Sequence, residues 1–198
     1  MLPGACAGFS ANFVANVLSK PGIRAIVKIV QYPVGHYLNA SQEGPFVYCR
    51  HGGWAECRLH SFFMCAKNQS VSEGPGFEML DMIECINDQL GYNTDPGHFP
   101  TPKEGAVEAC AGKLRLDYDK LFACSRSDGL RLQTESAAEG AKRGIVAAPT
   151  LFVNGKLIQG LDVTLKMVCD AYTGAAPDAC KNLAATEAGA TKVDSCRV

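Results

Sequence analysis

Cys6 closes the stretch Pro3-Gly4-Ala5-Cys6 and opens a segment with helical spacing. A helix amino terminus offers unpaired N–H groups and a partial positive charge. Both stabilise a thiolate and lower the thiol pKa. A cysteine so placed suits thiol–disulfide exchange, in which a thiolate attacks a disulfide sulfur and a second thiol resolves the mixed disulfide. Taken alone, the segment favours the other reading, a buried structural cysteine on an ordinary helix. A second candidate is Ala148-Pro149-Thr150 ahead of an apolar run. It is either a trans proline opening a strand or a cis proline, a form found in about 5–6% of X–Pro bonds. The third runs from Cys49 through His51, Gly52, Trp54, Glu56, Cys57 and His60 to Cys65. Cysteine and histidine this close suit either zinc, with Cys49, His51, Cys57, His60 or Cys65 as ligands, or disulfides. A paired Cys-x-x-Cys frame for zinc is absent, so no metal is expected. His36, His51, His60 and His98 are expected on the surface or hydrogen-bonded in loops. His51 alone has motif context, and there, as for Glu56, a structural role is expected before a catalytic one. Trp54 fits loop packing or a substrate contact.

Elements must position these groups. Phe9, Phe13, Val14, Val17 and Leu18 predict a helix over 6–19, stopped by Pro21-Gly22. Residues 23–32 are rich in β-branched side chains and predict a buried strand, and residues 33–56 read as loop. Met79, Leu80, Ile83, Ile86 and Leu90 predict a helix over 77–90, with Gly91 at its end. Residues 92–104 read as a connection, with short helices near 104–112, 116–123 and 133–142. Two apolar runs flank Asn154-Gly155, the strongest short hairpin signal. Leu161, Leu165, Val168 and Tyr172 predict a last helix. Beyond Cys180 the chain is rich in Ala, Thr and Gly and reads as a disordered tail, 181–198.

The order helix, strand, helical block, hairpin, helix resembles an α/β, thioredoxin-like fold. A disulfide-rich helical insertion would span about 49–130 of a domain covering 1–180. In that fold a cis proline, here Pro149, faces a Cys-x-x-Cys pair, of which this chain keeps the inner member, Cys6, and carries Pro3 at the outer position. The usual first strand would precede Cys6 and finds no room in the sequence.

Charge is nearly balanced, 19 basic against 20 acidic residues, and no basic block suggests a nucleic-acid footprint. No apolar run approaches the ~18 residues of a membrane span. Ten cysteines in 198 residues suit an oxidising compartment. Sequons at Asn39 and Asn68 agree with glycosylation there. A lumenal protein should carry a signal peptide, and none is seen; with the missing strand, this reads as an amino terminus that has been removed or a gene model that starts late.

The segment from Cys49 to Cys65 resembles the signature of the gamma-interferon-inducible lysosomal thiol reductase family, Cys-Gln-His-Gly-x-x-Glu-Cys-x-x-Asn-x-x-x-x-Cys. Cys49, His51, Gly52, Glu56, Cys57 and Cys65 are kept. Arg50 replaces Gln, His60 replaces Asn, and one extra residue lies between Gly52 and Glu56. Gly4-Ala5-Cys6 with Phe9, Pro149, Val153-Asn154-Gly155-Lys156 and the stretch from Leu165 to Cys180 are also similar to the family. The resemblance implies a reductase of protein disulfides in endosomes and lysosomes or outside the cell. It implies Cys6 and Pro149 as the catalytic residues and disulfide-containing proteins as substrates. It also implies no metal or organic cofactor, only an external thiol reductant. Cys49, Cys57, Cys65, Cys85, Cys110, Cys124, Cys169 and Cys180 correspond to its structural disulfide set, with Cys169–Cys180 and Cys110–Cys124 expected as short local bridges. Cys6 and Cys196 are left over. With Pro3 in the outer position, a redox-inactive secreted binding module of the same fold stands as the alternative, and a zinc module centred on Cys49 to Cys65 as a third reading.

Overall fold

Leu59, Phe62, Phe63 and Ala66 recur at helical spacing and are all buried, which is how one helix comes to carry the middle of the protein. The computed structural model describes residues 4–32, 36–38, 46–48, 53–69, 76–89, 104–145, 150–158 and 163–183, with 4–8, 36–38, 46–48, 53–56 and 104 described by their backbone. Helix α1 (Gly4–Phe13) runs into a π-helical turn (Val14–Leu18), and α2 (Ile23–Ile26) follows. Strands β1 (His36–Leu38) and β2 (Phe46–Tyr48) pair antiparallel. Five helices come next: α3 (Gly53–Ala66), α4 (Phe77–Gln89), α5 (Glu104–Lys113), α6 (Tyr118–Ser127) and α7 (Gly129–Lys142). The antiparallel pair β3 (Leu151–Val153) and β4 (Lys156–Ile158) leads to α8 (Leu165–Ala171) and α9 (Asp178–Lys181). Among the described residues the chain is mostly helical with two separate two-stranded ladders.

Two apolar clusters hold these elements. The larger joins α3, α4, α5 and α6 through Leu59, Phe62, Met79, Met82, Ile83, Ile86, Val107 and Leu121. The smaller joins the π turn, α2, α4 and α8 through Val17, Leu18, Ile23, Phe77, Leu80 and Leu165. Helix α4 serves both. Residues 79, 82, 83 and 86 face one cluster, while 77 and 80, three apart and turned round the axis, face the other. Helix α7 lies on α3, where a Cβ on Gly129 would come 2.5 Å from that of Ser61; any larger residue there would push the helices apart.

Several expectations are met: the first helix, α4, the three helices after residue 104, the Asn154-Gly155 hairpin and the last amphipathic helix. The turn shows why: Asn154 and Gly155 have φ of 47° and 76°, the left-handed pair that a two-residue hairpin needs. Three expectations are corrected. Residues 23–32 begin as helix α2 and continue extended without a ladder partner among the described residues. Ile23, Ile26 and Val27 all meet the smaller cluster, and that spacing is helical. Residues 33–56, read as loop, contain β1, β2 and the start of α3. Finally, Cys110 does not bridge to Cys124.

Instead, Cys85–Cys110 ties α4 to α5 and Cys65–Cys124 ties α3 to α6, with Cα separations of 5.8 and 6.0 Å. Cys110 and Cys65 are 0% and 2% exposed, so both bridges lie inside the larger cluster. Cys169–Cys180 is present as expected, across 11 residues. Short sequence separation misled at Cys110 and Cys124 because each faces a different helix of the bundle. By loop entropy the bridges spanning 59, 25 and 11 residues contribute about 4, 3.5 and 3 kcal/mol. Replacing Cys85 and Cys110 together with alanine is expected to lower unfolding free energy by about 2–5 kcal/mol, read by urea denaturation. Peptide mapping without reductant should return Cys65–Cys124 and Cys85–Cys110; a Cys110–Cys124 peptide would contradict this packing.

Candidate functional site

Cys6 lies in the first turn of α1 (Gly4–Phe13), where the helix leaves its N–H groups without intrahelical partners. Its side chain, like all of Pro3, Cys49, Arg50, His51, Gly52 and Pro149, is outside the described residues. The expected approach of Cys6 to Pro149 therefore is too. Thr150, the next residue, leads directly into β3.

One turn beyond Cys6, Ser10 is buried at 6% exposure against α4. Its hydroxyl hydrogen-bonds the Glu84 carboxylate. Burial pushes the Glu84 carboxyl above its ordinary value; the Ser10 bond partly offsets this, and Asp81 and Asp88 add to the rise. Glu84 Oε1 is buried without a hydrogen-bond partner. Asp81, one turn earlier, is held by both ends of the Arg24 guanidinium at 2.9 and 2.7 Å, and that guanidinium lies 4.7 Å over the Phe77 ring. Helix α1 thus meets α4 beside a carboxyl whose pKa is raised by burial. Sequence reasoning missed Glu84. It stands at the third step of the series 77, 80, 84 on α4, an acid where an apolar residue would continue the buried face.

The third constellation is mostly a helix. Gly53 begins α3, Glu56 lies in its first turn, and Cys57, His60 and Cys65 follow along it. Cys57 is disulfide-bonded, and its partner is not among the described cysteine side chains. Around it α7 supplies a polar clamp. Gln133, 1% exposed, donates from Nε2 to the Cys57 carbonyl at 2.9 Å and to Ser61 Oγ at 2.6 Å. Ser61 Oγ also donates to the Cys57 carbonyl. His60 is buried with its ring 6.1 Å from that of Phe63. Two of the five zinc-ligand candidates, Cys57 and Cys65, are oxidised, and a sulfur in a disulfide is not the thiolate that zinc requires. Among the described residues no three His, Cys, Asp or Glu side chains converge as a metal site, and no helix is long and apolar enough to cross a membrane. Asn68 is exposed just past α3; Asn39 is outside the described residues.

Residues 3–114, more than half of the chain, match the family model of gamma interferon inducible lysosomal thiol reductase (GILT). The matched span runs from the residue before α1 to the end of α5 and includes both Cys6 and the segment from Cys49 to Cys65.

The proton on Glu84 is held more tightly in the folded than in the unfolded chain. The stability it contributes is fully present below the ordinary carboxylate pKa and is lost as pH rises through the folded-state value. Glu84→Gln, which keeps an acceptor for Ser10, is expected to be more stable than the native chain at pH 7. The gain should shrink to nothing toward pH 4 in paired thermal melts. A difference independent of pH would contradict the burial of this carboxyl.

Proposed function

Because the chain belongs to the gamma-interferon-inducible lysosomal thiol reductase family, we propose that it is a thiol–disulfide oxidoreductase acting on protein disulfides, with Cys6 as its reactive sulfur. The observation that carries this reading is the position of Cys6 in the first turn of α1, inside the matched span. The helix terminus stabilises the thiolate over the thiol. An ordinary cysteine, of pKa about 8.5, is almost wholly protonated in an acidic compartment, so a lowered pKa is what such chemistry requires there.

The reaction follows from the single sulfur. The Cys6 thiolate attacks one sulfur of a substrate disulfide, forming a mixed disulfide and releasing the other as a thiolate that takes up a proton. Pro3, at the outer position, has no group to attack it. An external thiol therefore attacks the Cys6 sulfur and frees the second substrate thiol. A second molecule of that thiol regenerates Cys6 and leaves as its own disulfide. No metal or organic cofactor enters these steps. Pro149, immediately before Thr150 and β3, is the residue proposed to face Cys6. That pairing belongs to a thioredoxin-like domain over 1–180 with a helical insertion over about 49–130; the β3–β4 hairpin followed by α8 supports it. Cys49 is proposed as the partner of Cys57, leaving Cys6 free as a thiol. An endosomal, lysosomal or extracellular setting, with glycans on Asn39 and Asn68, fits three disulfides between described cysteines.

Pro3 also favours a second reading, a redox-inactive secreted module that keeps the same fold to bind another protein. Reduction of insulin disulfides with an excess of a small thiol separates the two. The purified chain is expected to accelerate insulin reduction over the thiol alone, and Cys6→Ser to return the rate to that background. Equal rates with and without the native protein would overturn the reductase reading.

A further inference from the structure

We propose that Asn87 is a further catalytic residue: its carboxamide Nδ2 donates a hydrogen bond to the Cys6 sulfur once that sulfur is a thiolate. The proposal rests on the reading of Cys6 as the reactive sulfur, and its test separates the two.

Asn87 carries a donor with nothing to donate to. The residue is 5% exposed, and its Nδ2 is buried without a hydrogen-bond partner. Glu84 Oε1, three residues earlier on α4, is equally unpartnered, so that oxygen is not the acceptor. A buried N–H left unmatched costs stability. Such a group in a native protein calls for an explanation, a catalytic role among them.

The acceptor follows from the direction in which α1 crosses α4. Phe77 and Leu80 share a cluster with Val17 and Leu18 of the π turn. Beyond that turn, Arg24 holds Asp81 and lies over the Phe77 ring. Further along α4, Glu84 meets Ser10, which lies further back along the chain. The two helices therefore run in opposite directions. From Glu84 to Asn87 helix α4 advances about 4.5 Å, and from Ser10 back to Cys6 helix α1 covers about 6 Å. Asn87 thus stands level with the first turn of α1. Residues four apart share a helix face, so Cys6 is on the side of α1 that Ser10 turns to α4. Seven residues make nearly two whole turns, so Asn87 stands in line with the buried Leu80.

Charge at this end of α1 makes the donor useful. Gly4–Phe13 carries no charged residue. The charges that α4 brings toward this level are the Glu84 carboxyl and the exposed Asp88, and a carboxylate near a thiol raises its pKa. Against them stand the N–H groups at the start of α1 and the Asn87 amide. A hydrogen bond to the charged form of a group favours that form. The amide gives up no proton. Cys6 releases its proton to solvent and accepts the bond from Nδ2 as a thiolate. That bond is lost when the sulfur enters the mixed disulfide, and it returns when the external thiol frees Cys6.

The test is iodoacetamide alkylation of the Cys6 peptide against pH in the full chain, native and with Asn87→Leu, which keeps the branching of the side chain and removes the donor. The native midpoint is expected below the ordinary thiol value of about 8.5. Asn87→Leu should move it up by about one unit, a tenfold loss of thiolate at any pH below both midpoints. Far-UV circular dichroism should be unchanged, and the thermal midpoint of unfolding equal or higher, because an unmatched amide has left the interior. A role in packing alone would lower thermal stability and leave the thiol titration where it was. Asn87→Ala, which needs no room for a branched side chain, is measured in the same way. A lowered native midpoint that both folded variants keep would overturn the proposal and leave Cys6 as the reactive sulfur. A native midpoint in the ordinary range would overturn both.

Discussion

Helix α4 is buried on two sides, and that double burial organises the described chain. Met79, Met82, Ile83 and Ile86 face the bundle of α3, α5 and α6; Phe77 and Leu80 face the π turn, α2 and α8. Each fully buried side chain of this kind is worth about 1.5–3 kcal/mol, so neither face can be given up. A polar contact between α1 and α4 sits beside the second face, where Ser10 meets Glu84. Helix α1 carries Cys6, so its first turn is fixed in space by how its later residues settle on α4.

The disulfides follow the same division. Cys65–Cys124 and Cys85–Cys110 lie at the larger cluster, with Cys65, Cys85 and Cys110 buried and Cys124 part-buried against it, where sulfur behaves as a compact apolar group. A protein proposed to exchange disulfides has reason to hide its own. The bridge at the margin, Cys169–Cys180, joins short helices with little buried surface.

Much of this was legible in the sequence, for reasons tied to particular residues. Helix α4 was read from the spacing of its apolar residues, and the hairpin from Asn154-Gly155, whose positive φ angles few other pairs accept. Helix α3 was not read, because its cysteines and histidine drew attention as ligands while Leu59, Phe62, Phe63 and Ala66 kept a plain helical period. Residues 23–32 were misread because a β-branched run hid the helical spacing of Ile23, Ile26 and Val27. Glu84 was invisible as a part-buried acid because its burial depends on what α1 brings to it, and no local pattern records that. The signature from Cys49 to Cys65 was legible by resemblance, and of its kept residues the structure describes the side chains of Cys57 and Cys65, both oxidised.

The central claim is that the sulfur of Cys6 is a free thiol activated by the end of α1. The most direct measurement is the rate of its alkylation by iodoacetamide against pH, followed on the Cys6 peptide in the native chain and in urea. The account requires a native titration well below the ordinary thiol range of about 8.5, returning to that range when the helix is unfolded. A native profile that matches the unfolded one, or a Cys6 found bonded to Cys57 and inert until reduction, would contradict it.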